Sequence, residues 1–358
     1  MPLPFILVGA AVALAGVGTK KGYDGYQDKT EANSILEGAK KQYENAASNL
    51  EADDKGVQDK LEELGALQLD IGKDFNDFQT IAEELLGKLN DASKVDIKVN
   101  VPKYQRKRIE RLSMGSIAYA SKLAGGAVGG TAAAYAVYGG VMALAAASTG
   151  TPIAALSGIA AYNATLAAIG GGSLAAGGLG MAGGTAILGG VVAAPVLAIA
   201  GWAFASHAEE ALSKAKETRE EVRQFVKETD ISRGYLRDTR QYISRIILGL
   251  NGIRKVFNNY LKYLKAVELE MGKGNFDILE KEKDIVLMVE NGYAVAAILT
   301  DIITTPLFKV KENNGVPVVD QDGIPKFETN DDGTKILNTN KMREVIANSN
   351  RSVEKFKH

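Results

Sequence analysis

Between Lys122 and Glu209 the chain carries no Asp, Glu, Lys or Arg. Up to His207 that gap covers residues 123–206, which is 84 positions in a chain that is 24% charged overall. An element packed at a protein surface shows one face to water and carries charge there. About 20 apolar residues without charge read instead as a membrane span, and this stretch has room for two to four. Ordinary globular folding is thus constrained from the outset. The segment must be hidden by other parts of the chain, or it must enter a bilayer.

Its punctuation is legible. Leu123–Ala147 is one apolar run, Ile153–Ile169 a second and Leu174–Ala205 a third, with Pro195 inside the last. Gly150 and Pro152 mark the first turn, and Gly170, Gly171 and Gly172 the second. Glycines four apart recur at Gly125/Gly129, Gly126/Gly130 and Gly180/Gly184. That spacing flattens one face of a membrane helix so that another backbone can approach it. The reading is a glycine zipper within a transmembrane hairpin. The competing reading is a buried Ala/Gly-rich hairpin inside a soluble bundle.

Long amphipathic helices are predicted on both sides. From Gln27 to Asp91 apolar residues return every three or four positions: Val57, Leu61, Leu64, Leu67, Ile71, Phe75, Phe78, Ile81, Leu85 and Leu89. That period is helical. Gly56, Gly65, Gly72 and Gly87 are expected to bend or divide this helix, and Gly22–Tyr26 to form a turn leading into it. A second helix is predicted over His207–Met271, with a stripe that includes Val222, Phe225, Tyr242, Ile246, Leu250, Ile253, Phe257 and Leu264. A third is predicted over Phe276–Thr305. Asp24–Asp91 holds 17 acids against 7 bases, and Glu209–Met271 holds 13 bases against 10 acids. The expectation is antiparallel packing of an acidic helix on a basic one, as charged flanks set partner choice.

The segment Lys94–Lys122 differs, with 8 bases and 2 acids. Lys103, Arg106, Lys107, Arg108 and Arg111 stand just ahead of the charge-free stretch. Cations in that position are drawn to anionic head groups by about 1 kcal/mol each, and Tyr104 and Tyr119 are expected at the interface with them. The alternatives are a solvated linker or a salt-bridge face for the acidic first helix. A nucleic-acid partner is not expected: 42 bases nearly cancel 43 acids, and the basic patch is short.

Catalysis is not expected either. There are 0 Cys and 2 His, His207 and His358. That removes thiolate chemistry, Cys-ligated zinc and most acid–base constellations. Gly178–Gly183 spells GxGxxG but has no strand before it and no acid about 20 residues on. The Asp320–Asp331 region lacks EF-hand spacing, and Pro325 breaks its loop. No His follows a Glu at the spacing of a di-metal bundle. Pairs such as Asp53-Asp54 and Glu62-Glu63 are placed on solvated faces. No cofactor and no metal are expected.

The ends complete the map. Leu3–Gly18 is apolar but makes a poor cleavable signal peptide, because it lacks a basic start and a convincing cleavage site. Pro306–Asn340 alternates turn clusters with short β-prone pieces, Phe308–Val310, Val316–Val319, Lys326–Glu328 and Lys335–Leu337, and reads as a small β-meander. The predicted organisation is an apolar helix over 1–22, an acidic helix over 23–93 and a basic collar over 94–122. A membrane-inserting hairpin over 123–206, a helical bundle over 207–305, the meander over 306–340 and a C-terminal helix over 341–358 follow. The predicted fold class is mainly all-α, an elongated helical bundle with a glycine-rich apolar hairpin and a β-prone insert.

A long amphipathic helix, a charge-free hairpin and another long helix resemble the layout of helical pore-forming toxins of the cytolysin A and tripartite haemolysin–enterotoxin types. The glycine-rich hairpin also resembles that of the apolipoprotein L family. Gly22–Lys29 and Ser173–Gly184 are similar to segments of a group of functionally unassigned bacterial membrane-associated proteins. These resemblances imply a hairpin that swings from a soluble bundle into a bilayer, and a homo-oligomer there. The functional expectation is a membrane-active protein held in a cytoplasmic pool, at a bacterial membrane, or both. The alternative is a coiled-coil scaffold anchored permanently in the inner membrane.

Overall fold

The computed structural model describes residues 20–93, 97, 99–124, 132–137, 208–274, 282–318, 326–331 and 333–357. The fold is all-α. Helix α1 runs Lys20–Ser93, α2 Lys103–Ala124, α3 Ala208–Gly272, α4 Glu282–Ile303 and α5 Thr339–Val353, followed by a 3-10 turn at Glu354–Phe356. Residues 132–137 are also helical. The chain divides into two compact units. One comprises Met1–Val57 and Gly190–Asp238, the other Gln58–Gly189 and Thr239–His358.

The first unit pairs the leading part of α1 with the leading part of α3. Its core is thin. Ala32, Ala39 and Ala46 recur every seventh residue on α1 and are buried, and Ala39 and Ala46 cluster with Val222 and Phe225 of α3. Tyr43 lies on Phe225 with ring centroids 4.7 Å apart. Arg233 donates from Nε to Asp53 Oδ2 at 2.7 Å. As the partner on α1 advances from 43 to 53, the partner on α3 advances from 225 to 233. The two helices therefore run in the same direction.

The second unit is larger and its core aromatic. Phe75 and Phe78 each stack on Phe257 at 5.3 Å, and Phe78 meets Tyr293 of α4 edge-on at 5.2 Å. All ten apolar positions of the predicted α1 stripe are buried, Val57 in the first unit and the other nine in this one. On α3 the positions Ile243, Leu250, Phe257, Leu264 and Met271, spaced by seven, are all buried. This is the repeat of a coiled-coil seam.

Registers give the helix directions in this unit. Asp74 pairs with Arg254 and Asp77 with Lys265, both at 2.7 Å, so α1 and α3 again run parallel. On α2 the order reverses: Gly72 faces Ser116, and Leu69 clusters with Tyr119. The Asn100 amide donates to Glu290 at 2.7 Å and Arg108 pairs with Asp301 at 2.8 Å, so α4 follows the direction of α2. Gly249 packs on Ile346, and the Tyr260 hydroxyl donates to the Phe356 carbonyl at 2.7 Å, which sets α5 parallel to α3.

Three expectations are corrected. The acidic and basic helices pair in parallel, the register in which Phe75 and Phe78 meet Phe257 and Asp74 meets Arg254. Gly22–Tyr26 forms no turn and is part of α1. The glycines do not divide α1. Gly65 and Gly72 instead let other backbone approach: a β-carbon on Gly65 would collide with the Ala132 carbonyl, and one on Gly72 with the Ser116 side chain.

After α4 the chain forms a two-residue hairpin, β1 Glu312–Asn313 with β2 Val316–Pro317, turned by Asn314 (φ 51°) and Gly315 (φ 78°). Positive φ at both turn residues suits Asn-Gly. Isolated bridges join Phe308 to Leu337, Val310 to Phe327 and Thr329 to Lys335. The backbone bonds close on themselves. Lys309 N–H donates to Ile336, Ile336 to Glu328 and Glu328 back to Lys309; Lys311 donates to Lys326, Lys326 to Val318 and Val318 back to Lys311. The segment predicted as a meander thus contains two triangles of hydrogen bonds.

Candidate functional site

The predicted helix-packing glycines Gly125, Gly126, Gly129, Gly130, Gly180 and Gly184, and the turn residues Gly150, Pro152, Gly170, Gly171 and Gly172, lie outside the described residues. The structure does describe the approach to that segment, α2, and part of its leading end, residues 132–137.

Helix α2 has two faces. Ile109, Leu112, Ser113, Ser116 and Tyr119 point into the second unit and are buried. Lys103, Tyr104, Arg106, Lys107 and Met114 are exposed, Tyr104 by 63% and Met114 by 64%. Arg111 is half-buried beside them. At 100° per residue, Tyr104, Lys107, Arg111 and Met114 fall on one stripe. Cations and amphipathic apolar groups on one face are what an interfacial helix carries.

Two residues of the predicted collar behave differently. Arg108 donates from one guanidinium nitrogen to Asp301 at 2.8 Å and from the other to Thr304 at 3.0 Å. Its charge is used to fasten α2 to α4. Tyr119, expected at an interface, is 1% exposed and packs on Tyr135 with centroids 5.1 Å apart. Burial, and the negative charge of Glu62 after it, push its hydroxyl pKa well above the usual range.

Residues 132–137 sit against α1 and α2, and all six are buried. The Glu62 carboxylate accepts the Ala132 amide at 3.2 Å and the Ala133 amide at 2.8 Å. Gly65 receives the Ala132 backbone. Ser116 Oγ donates to the Leu112 carbonyl at 2.8 Å, and its oxygen lies 2.7 Å from the Tyr135 hydroxyl. A serine has one hydroxyl proton to give, so Tyr135 is the donor in that pair. Glu62 was read from sequence as part of a solvated acidic pair. Its residue is indeed exposed, but its oxygens are engaged. The signal for it was the seven-residue spacing of Gly65 and Gly72 on the apolar side of α1.

Helix α4 is long and apolar enough to cross a membrane, with a mean hydropathy of 1.6 over its most apolar window. Half of that window is buried in the second unit, as in the core helix of a bundle. Among the described residues no group of three or more His, Cys, Asp or Glu is placed to hold a metal ion. No protein-family model matches the chain, and no curated protein or solved structure does either.

Proposed function

We propose that this is a membrane-active helical protein that inserts the charge-free segment 123–206 into a bilayer, assembles with further copies of itself and permeabilises the membrane. One observation carries the reading. The uncharged segment follows directly on α2, whose exposed face presents Lys103, Tyr104, Arg106, Lys107 and Met114. A cationic, partly aromatic face beside an apolar segment suits anionic head groups and the acyl region below them. The energetic reason is the size of the segment. Removing even 1,500 Å² of apolar surface from water is worth roughly 35–40 kcal/mol at about 25 cal/mol per Å².

The proposed chemistry is physical and needs no cofactor. Lipid contact falls to Lys103, Arg106 and Lys107, which are exposed, since Arg108 is held by Asp301. The resemblance to pore-forming toxin layouts fits this reading as an analogy of arrangement. The test is release of a trapped dye from anionic liposomes at micromolar protein, with acid and protease as triggers. Release that depends on anionic lipid is the expected result, and vesicles that stay intact under every condition reject the proposal.

The parallel seam of α1 and α3 favours a second reading, a scaffold anchored permanently by the same segment. Carbonate washing of membranes from expressing cells separates the two. A soluble pool fits insertion on demand, and protein found only in the detergent phase, without leakage, fits the anchor.

A further inference from the structure

We infer that Glu62 and Gly65 of α1 form a releasable clasp on the leading end of the charge-free segment, and that opening it frees the segment for a bilayer; the second half of this inference rests on the membrane reading above. The clasp has three parts. Glu62 accepts the amides of Ala132 and Ala133. Gly65 leaves the space that the Ala132 carbonyl fills. Tyr135 donates to Ser116, which α1 accommodates because position 72 is also glycine.

The chemistry of the contact explains why it would open. A segment without charges of its own is held here by a carboxylate from outside it. Four of the six clasped residues are Ala132, Ala133, Ala134 and Ala136, which add little apolar area. Apart from the Tyr135 ring on Tyr119, the hold thus depends on charge-assisted hydrogen bonds and close backbone approach, whereas the α1–α3 seam depends on Phe75, Phe78 and Phe257. Water can compete at Glu62, because that residue is exposed.

The clasped state also excludes one inserted form, a helix continuous through residues 128–133. An amide within a continuous helix bonds to the carbonyl four residues earlier. A helix crossing hydrocarbon must make those bonds internally, because no water is there to replace them. Glu62 occupies two amides that such a helix would have to recover. Its carboxylate would in turn have to regain water, which its exposed position allows.

The chain has no cysteine, so single introduced thiols report on the clasp. Ala134→Cys places one at a position that is 3% exposed, and Ala296→Cys places a control in α4 at 0%. Each is combined in the full chain with Glu62→Gln or Gly65→Ala, and maleimide labelling is timed. Alanine is the better helix former, so Gly65→Ala can act only through the collision with Ala132. Labelling at position 134 is expected to speed up about tenfold or more, the scale of one lost charge-assisted bond, with position 296 unchanged. An unchanged rate at 134, or equal acceleration at both positions, overturns the clasp.

The same variants are then added to anionic liposomes. Faster dye release than from the parent supports the gating role. Faster labelling with parental release leaves the clasp as a packing contact and overturns the gating role. If neither parent nor variant releases dye while labelling responds, the membrane reading fails and the clasp stands alone.

Discussion

The ring of Phe78 occupies the space where a β-carbon on Gly292 would stand. Gly292 thus lets α4 approach α1 here, and Tyr293 meets the same ring edge-on. Gly292→Ala should therefore destabilise the protein by about 1–3 kcal/mol, the usual cost of forcing extra volume into a packed core. Glycine to alanine in a helix otherwise stabilises by up to about 1 kcal/mol, and Gly87→Ala, with open space around it, should do so. Urea midpoints for the two variants should move in opposite directions. A stabilised Gly292→Ala would contradict the contact.

Asp74 and Arg254 are each about one-quarter exposed or less, whereas Asp77 and Lys265 are each nearly half exposed. The two pairs join the same helices less than one turn apart on α1, and they differ in burial and in the cation, Arg against Lys. A double-mutant cycle to alanine should give a coupling above 1 kcal/mol for Asp74–Arg254 and below about 1 kcal/mol for Asp77–Lys265. Raised salt should erase the second coupling first. Equal couplings would show that solvent screens both alike.

Helix α2 offers a division of labour. Replacing Lys103, Arg106 and Lys107 together with Gln removes three exposed charges. At about 1 kcal/mol each, this should weaken binding to anionic vesicles by roughly a hundredfold and leave neutral vesicles unchanged. Arg108→Gln should do the reverse, lowering the melting temperature by loss of the Asp301 and Thr304 bonds while sparing vesicle binding. Co-sedimentation beside a melting curve reads both. A triple variant that sediments like the parent but melts earlier would remove these residues from the lipid surface.

Alkaline stability should pass through a maximum. Burial pushes the Lys335 ammonium pKa down to about 8; the Phe308 and Phe327 rings, 5.6 and 5.5 Å away, partly offset the cost of its charge. Between pH 8 and about 10.4 the unfolded lysine keeps a proton that the folded one has lost, so stability rises with pH. Burial raises the Tyr242 hydroxyl pKa. Above about pH 10 the unfolded tyrosine loses a proton that the folded one keeps, so stability falls. Lys335→Met should flatten the rise and leave the fall. Melting temperatures at intervals from pH 7 to 11 test this, and a rise that survives in the variant would assign it to another group.

The helices were legible because burial imposes a period. Val57 through Leu89 on α1, and Val222 through Val267 on α3, alternate every three or four residues, and the same residues form the cores. Direction was not legible. The charge excess of one helix over the other says that they attract but not which ends meet. The parallel register depends on which large side chains face each other, such as Phe75 and Phe257, and a one-dimensional stripe does not contain that. The exposed part of the collar was readable from charge alone, whereas the capture of Arg108 by Asp301 joins residues 193 apart in the chain. Glu62 was missed for the same reason. Its partners are backbone amides, and every residue type has those.

Two helices that run the same way cannot be closed by a tight turn. The chain leaving Ser93 at the end of α1 must be carried back before α3 can begin alongside, and residues 94–207 are that carrier. An antiparallel pair would have been cinched at one end by a short loop, and pulling on that loop would pull its helices apart. Here the connection is long by necessity, and no short loop ties the end of α1 to the start of α3.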